Sequence, residues 1–259
     1  GTNYGFRTDA AYTGNELAQG TDCKMARPQA PLSRQGSPAA ATMDGTFTRE
    51  PPMPAFLSDT FHHPTPAIRD AMAHAQVTRA LCICTTLEEF PAVHALATGY
   101  DNFWATVGVH PDNESGEDLA EPSLDDLLQR AALPRVVGIG ETGLDYYRLG
   151  DRTVADMEWQ RERFRTHIRA ARQTAKPLVI HTRSASADTL AILKEEGEDG
   201  SPGAAGGVFH CFTETAEVAR AALDLGYYIS FSGILTFKSA QDIRDVASFV
   251  PLDRMLIET

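Results

Sequence analysis

Three side chains able to bind a metal ion stand at the ends of three apolar runs. They are Glu141 after Val136-Val137-Gly138-Ile139-Gly140, His181 after Leu178-Val179-Ile180, and His210 after Val208-Phe209. One carboxylate and two imidazoles suit a borderline ion such as Zn²⁺ or Mn²⁺, and Mg²⁺ where water and phosphate oxygens complete the shell. A single histidine at a strand end is more often hydrogen-bonded structure than ligand. Three ligand types in register on successive strands favour a shared ion, because parallel strands carry residues distant in sequence to one rim.

Elements that would place them so can be counted along the chain. Short apolar runs at 55–61 (weak), 77–85, 103–110, 136–141, 178–181, 207–212, 227–232 and 255–258 read as strands. Between them, helical periodicity covers 65–75, 87–98, 123–132, 154–174, 185–195, 214–225 and 240–249. This alternation predicts an α/β protein, a TIM-type (β/α)8 barrel whose first strand is altered and whose last helix is missing, since Thr259 follows the eighth strand directly. An open doubly wound sheet is the structural alternative, weakened because no glycine-rich phosphate fingerprint follows the first strand. Residues 1–52, with Arg27-Pro28-Gln29-Ala30-Pro31 and Gly36-Ser37-Pro38 and no apolar period, read as a disordered or non-native extension. Residues 53–259 then form one incomplete β/α-barrel domain.

A formal net charge of -12 disfavours loose attraction to nucleic acid or an anionic membrane. It does not exclude a nuclease, because a bound divalent ion supplies local positive charge that a count of side chains omits. Cys82 and Cys84 alternate on one apolar strand and read as small buried thiols of a reducing compartment. No apolar run approaches the roughly 18 residues of a membrane span, and the first residues lack a basic region followed by an apolar one. A cytoplasmic protein without membrane attachment is expected, and no protein partner is implied.

Several of these segments are also familiar. Val107-Gly108-Val109-His110-Pro111, Gly138-Ile139-Gly140-Glu141-Thr142-Gly143-Leu144-Asp145-Tyr146-Tyr147 and Pro177-Leu178-Val179-Ile180-His181-Thr182-Arg183 resemble the TatD family of metal-dependent deoxyribonucleases. So do Val208-Phe209-His210-Cys211-Phe212, Gly226-Tyr227-Tyr228-Ile229-Ser230-Phe231-Ser232-Gly233 and Leu256-Ile257-Glu258-Thr259. The resemblance implies a barrel holding one or two divalent ions (Mg²⁺, Mn²⁺ or Zn²⁺) and hydrolysing phosphodiester bonds in DNA with metal-activated water. By motif match, Glu141 would be shared between metals, and His181 and His210 would bind the second. His110, in the Gly-x-His-Pro turn, would line the pocket. Arg183 and Lys238 each have two readings, a contact to substrate phosphate or a rim salt bridge. Asp145 reads as fixing its loop through backbone hydrogen bonds. His74, His94 and His167 lie in helical stretches and read as surface or core.

Two departures stand against an intact site. The family carries a His-x-His pair on its first strand, and this sequence has none; its nearest segment is Asp59-Thr60-Phe61-His62-His63. Aligning Asp59 with the family's acidic residue puts His63 on the second ligand position and Phe61 on the first. Adjacent strand residues face opposite ways, so His62 and His63 cannot chelate as a pair. The family also continues Glu-Thr with a metal-binding Asp, and this sequence stops at Thr259. Weak metal binding and low or absent nuclease activity are therefore expected. The rival readings are a hydrolase of another ester, amide or aminoacyl-RNA bond on the same barrel, and an inactive fragment.

Overall fold

The computed structural model describes residues 66–114, 116 and 119–258, with side chains from residue 69 onward. The extension 1–52, the weak strand 55–61, His63 and its neighbours, and Thr259 lie outside the described residues. Seven strands form one sheet: β1 Ala80–Cys82, β2 Phe103–Val107, β3 Val136–Asp145, β4 Leu178–Arg183, β5 Gly207–Phe209, β6 Tyr228–Phe231 and β7 Met255–Ile257. Every neighbouring pair is parallel, and spatial order follows sequence order. A doubly wound sheet requires a reversal of strand order, and none occurs among the described strands. The curled parallel sheet with its helices is a half-barrel, consistent with the TIM-type barrel.

The helices α1 Pro66–His74, α2 Phe90–Gly99, α3 Leu124–Ala131, α4 Glu158–Thr174, α5 Ser186–Glu195, α6 Ala216–Asp224 and α7 Gln241–Phe249 alternate with the strands. Their starts have local causes. Ser123 caps α3 through a reciprocal box with Asp126, and the Thr215 hydroxyl accepts the Val218 N–H at the start of α6. The expected helix 154–174 is instead a 3-10 turn, Val154–Met157, leading into α4, which ends where Ala175 turns left-handed ahead of Pro177. Strands β1 and β2 are shorter than their apolar runs. β2 stops at Val107 because Gly108 to Pro111 leaves the ladder for the rim, whereas β3 outruns its expected end as Gly143, Leu144 and Asp145 go on pairing with His181, Thr182 and Arg183.

The core lies between sheet and helices, where Phe164, Leu127, Ile139, Leu144, Ile168, Phe209 and Tyr227 are fully buried. Each such aliphatic or aromatic side chain contributes about 1.5–3 kcal/mol of transfer free energy. Among the described residues no helix is long and apolar enough to cross a membrane.

Candidate metal centre

Glu141 lies within β3 and His181 within β4, while His110 and His210 follow β2 and β5, and three of these backbones are tied across the rim. The N–H groups of His110, Glu141 and His210 donate to the carbonyls of Thr85, Cys84 and Ile180 at 2.8, 2.7 and 2.8 Å. Glu141 is turned inward by a shift of register. Ile139 faces Leu178 but Thr142 faces Ile180, so β3 carries one residue more than β4 across this interval. Gly140 sits in that bulge with φ +147, and a Cβ there would lie 2.5 Å from the Val179 carbonyl oxygen. A Cβ on Gly108 would meet the Gly140 backbone carbon at 2.5 Å. Only glycine at both positions lets the His110 turn and the Glu141 bulge approach so closely.

Glu141 is thereby set between two imidazoles. Its Oε1 lies 3.3 Å from His181 Nδ1 and 3.5 Å from His110 Nε2, and the two rings meet edge-on with centroids 4.4 Å apart. One ligand atom from each residue falls within 4.8 Å of the other two, and all three residues are buried. Despite those neighbours, Glu141 Oε1 is buried without a hydrogen bond of sound geometry. An orphaned carboxylate oxygen facing two imidazole nitrogens fits a divalent cation. Burial works against the charge on Glu141, yet His110, His181 and His210 hold its carboxyl well below the usual range. Burial likewise opposes a charged His181, but Asp145 and Glu141 outweigh it and raise the imidazole to about 9. A proton on His181 balances Glu141 here, and binding a cation would release it.

His181 is gripped from its other side. Its Nε2 lies 3.0 Å from Asp145 Oδ2, while Asp145 Oδ1 accepts the Tyr147 N–H at 2.8 Å. This is the carboxylate–imidazole arrangement that fixes the ring of a metal-binding histidine. Asp145→Asn is expected to weaken Mn²⁺ or Zn²⁺ affinity about 10- to 100-fold with the fold intact, read by competition titration against a chromogenic chelator. An unchanged affinity would show that the Asp145 contact is incidental.

His210 is not part of the three-residue cluster. Its Nδ1 is engaged by Glu258 Oε2, which also accepts the Cys211 N–H and the Ser230 hydroxyl, each at 3.0 Å. Burial opposes protonation of His210, and Glu258 outweighs it. Of the ligands read from the sequence, the structure thus brings Glu141 and His181 together, sets His210 beside them close enough to influence Glu141, and adds His110. Arg183 lies over the Tyr147 ring at 3.7 Å, with its guanidinium 4.0 Å from Asp145. Lys238 is exposed beyond β6.

Sequence reading missed the supports behind this rim, which come from α4. Gln160 accepts the Asp145 N–H at 2.9 Å and donates to the Pro111 carbonyl at 3.0 Å. Arg163 donates to the His110 carbonyl at 3.3 Å. His167 accepts the Val109 N–H on Nε2 at 3.0 Å, so its Nδ1 carries the proton given to the Arg163 carbonyl. Burial pushes the His167 imidazole down to about 4 and keeps that acceptor neutral. The one signal available was spacing, since these residues share a helical face with Phe164 and Ile168.

A parallel β/α sheet with a carboxylate–imidazole cluster at the carboxyl ends of its strands defines a metal-dependent hydrolase of the barrel kind. The chain belongs to the TatD-related DNase family, whose model matches residues 56–259. It is 45% identical over 196 residues to the uncharacterized metal-dependent hydrolase YcfH of Escherichia coli K12, covering 74% of this chain and 69% of that one. It is 34% identical over 186 residues to a Citrobacter koseri protein named 3'-5' ssDNA/RNA exonuclease TatD, covering 71% and 68%. The solved structure of YjjV, a TatD homologue from Escherichia coli K12, superposes with a TM-score of 0.61 at 28% identity, covering 78% of this chain and 77% of that one.

Proposed function

We propose that this metal-dependent hydrolase cleaves phosphodiester bonds in DNA, acting on single strands. The observation that carries the reading is the buried Glu141 oxygen that faces His110 and His181 at the mouth of the strands without a hydrogen bond. Membership of a family with a relative named as an exonuclease supports the substrate class. Glu141, His181 and His110 would hold the divalent ion, with His210 as a further ligand from the adjoining strand. When bound, the ion polarises a phosphoryl oxygen and lowers the pKa of its water to about 7. Asp145 keeps the His181 ring in place, and Glu258 does the same for His210. Arg183, 4.0 Å from Asp145 at the rim, is assigned to the substrate phosphate, and the exposed Lys238 to a phosphate further out. A nucleic-acid substrate also suits the cytoplasmic location expected from the sequence.

The test is a substrate panel with Mg²⁺, Mn²⁺ or Zn²⁺: end-labelled single-stranded DNA, an aryl ester, an aryl amide and an aminoacyl-RNA. Slow shortening of the DNA that stops on adding EDTA is the expected result, in keeping with the two departures of the sequence from the family, at the first-strand segment and at the Asp. Turnover of an ester, amide or aminoacyl bond with the DNA left intact would overturn the nuclease reading and keep the hydrolase.

A further inference from the structure

The loop that follows β3 carries a second feature, one that the metal centre does not use. Tyr147 is 55% exposed, although one face of its ring is covered by the Arg183 guanidinium at 3.7 Å. A ring held flat by an arginine on one side and open on the other is a stacking surface. Its position is fixed, because its N–H bonds Asp145 at 2.8 Å and the same carboxylate holds His181 at 3.0 Å. Tyr147 therefore stands one carboxylate away from the metal cluster.

Beside it opens a cleft of about 280 Å³ that Asp145 also lines, with Arg148, Arg152 and Trp159 in its walls. Trp159, half-buried against the core, also has an arginine beside its ring, the buried Arg163 guanidinium at 4.8 Å. Of the three acids in this cleft, Glu114 is matched by Arg152 at 2.9 Å and Asp145 by His181, while Asp112 stands in the field of Asp145 on one side and of Arg148 and Arg183 on the other. On a chain of net charge -12, this loop gathers arginines and aromatic rings next to the candidate centre. That combination suits a flexible polyanion with flat bases, since stacking accepts any base and arginines follow the backbone. A duplex, whose bases are already stacked, could not use the platform.

We propose that Tyr147, backed by Arg183, stacks a base of single-stranded nucleic acid next to the scissile phosphate, and that the Arg148–Arg152–Trp159 cleft takes the neighbouring stretch of backbone. The proposal rests on the nuclease reading for its substrate class, but it is tested by binding alone. Fluorescein-labelled decathymidylate is titrated with the chain in EDTA at low salt, and anisotropy is followed. Tyr147→Ala is expected to weaken binding about tenfold and Tyr147→Phe to restore it. Replacing Arg148 and Arg152 together by alanine is expected to lower the slope of log affinity against log salt by about 1.4, since single strands lose roughly 0.7 per phosphate contact removed.

Circular dichroism and melting curves check that the variants stay folded. Equal affinity of Tyr147→Ala and the parent chain, or no binding by the parent, overturns the platform. Binding that depends on Tyr147 in a chain that never cleaves DNA would support the platform while sinking the nuclease reading, so the two can fail separately.

Discussion

Glu141→Gln is expected to lower hydrolysis about 10³-fold or more and to abolish the rise in melting temperature on adding Mn²⁺ or Zn²⁺. The substitution keeps the volume of a buried side chain and removes its charge, so the effect falls on electrostatics and not on packing. Glu141 is the one carboxylate in the three-residue cluster, and two imidazoles alone bind a divalent ion weakly. The amide also sets an N–H donor or a weaker acceptor where His110 and His181 now meet a full negative charge.

A second readout comes from pH. The folded-state pKa of His181 is raised to about 9 from 6.5, so its contribution to stability is fully present below pH 6.5 and fades as pH rises through 9. In the variant this fading shrinks to what Asp145 alone supports. Activity above a tenth of the parent's, with the metal-induced shift intact, would remove Glu141 from the centre.

The strands that carry Glu141, His181 and His210 were legible because parallel strands buried on both faces read as continuous apolar runs, and a polar residue closing such a run is conspicuous. What turns Glu141 inward was not legible. Gly138-Ile139-Gly140 has the same appearance whether β3 continues in register or bulges, and the bulge is defined only against β4. The partners of the imidazoles escaped for a related reason. Asp145 reaches His181 across a strand pair, and Glu258 reaches His210 across β6, so neither contact has a sequence spacing of its own. Gln160, Arg163 and His167 stayed hidden because a buried polar side chain with every bond satisfied has the same composition signature as an exposed one. His110 had been placed in the pocket wall by its motif. Its approach to Glu141 depends on the Gly108–Gly140 contact, which only coordinates reveal.

Glu198→Ala should cost about 3 kcal/mol of stability without touching the metal centre. Glu198 lies in the turn before β5, at the opposite end of the strands from the site, and is fully buried. One oxygen accepts the Ala205 N–H at 2.9 Å and Arg172 at 3.1 Å; the other accepts the Gly206 N–H at 2.9 Å and the Tyr227 hydroxyl at 3.1 Å. Gly206 in turn gives its carbonyl to Leu178 at 2.8 Å, where β4 and β5 begin to pair. A single carboxylate thus joins α4, the lead-in to β5 and the residue before β6.

Truncation would strand two N–H groups, a phenol and a guanidinium. Each buried donor left unpaired costs about 1–3 kcal/mol, and Arg172 recovers part of its share from solvent because it is partly exposed. For a domain of this size the loss corresponds to roughly ten degrees in melting temperature. Glu198→Gln is expected to recover only part of it, since one of its two terminal atoms becomes a donor facing donors. Because the site lies at the far rim, affinity for Mn²⁺ measured well below the melting point should be unchanged in both variants. A melting temperature within two or three degrees of the parent's would mean that the turn relaxes to let water replace the carboxylate, and that the β4–β5 junction holds without it.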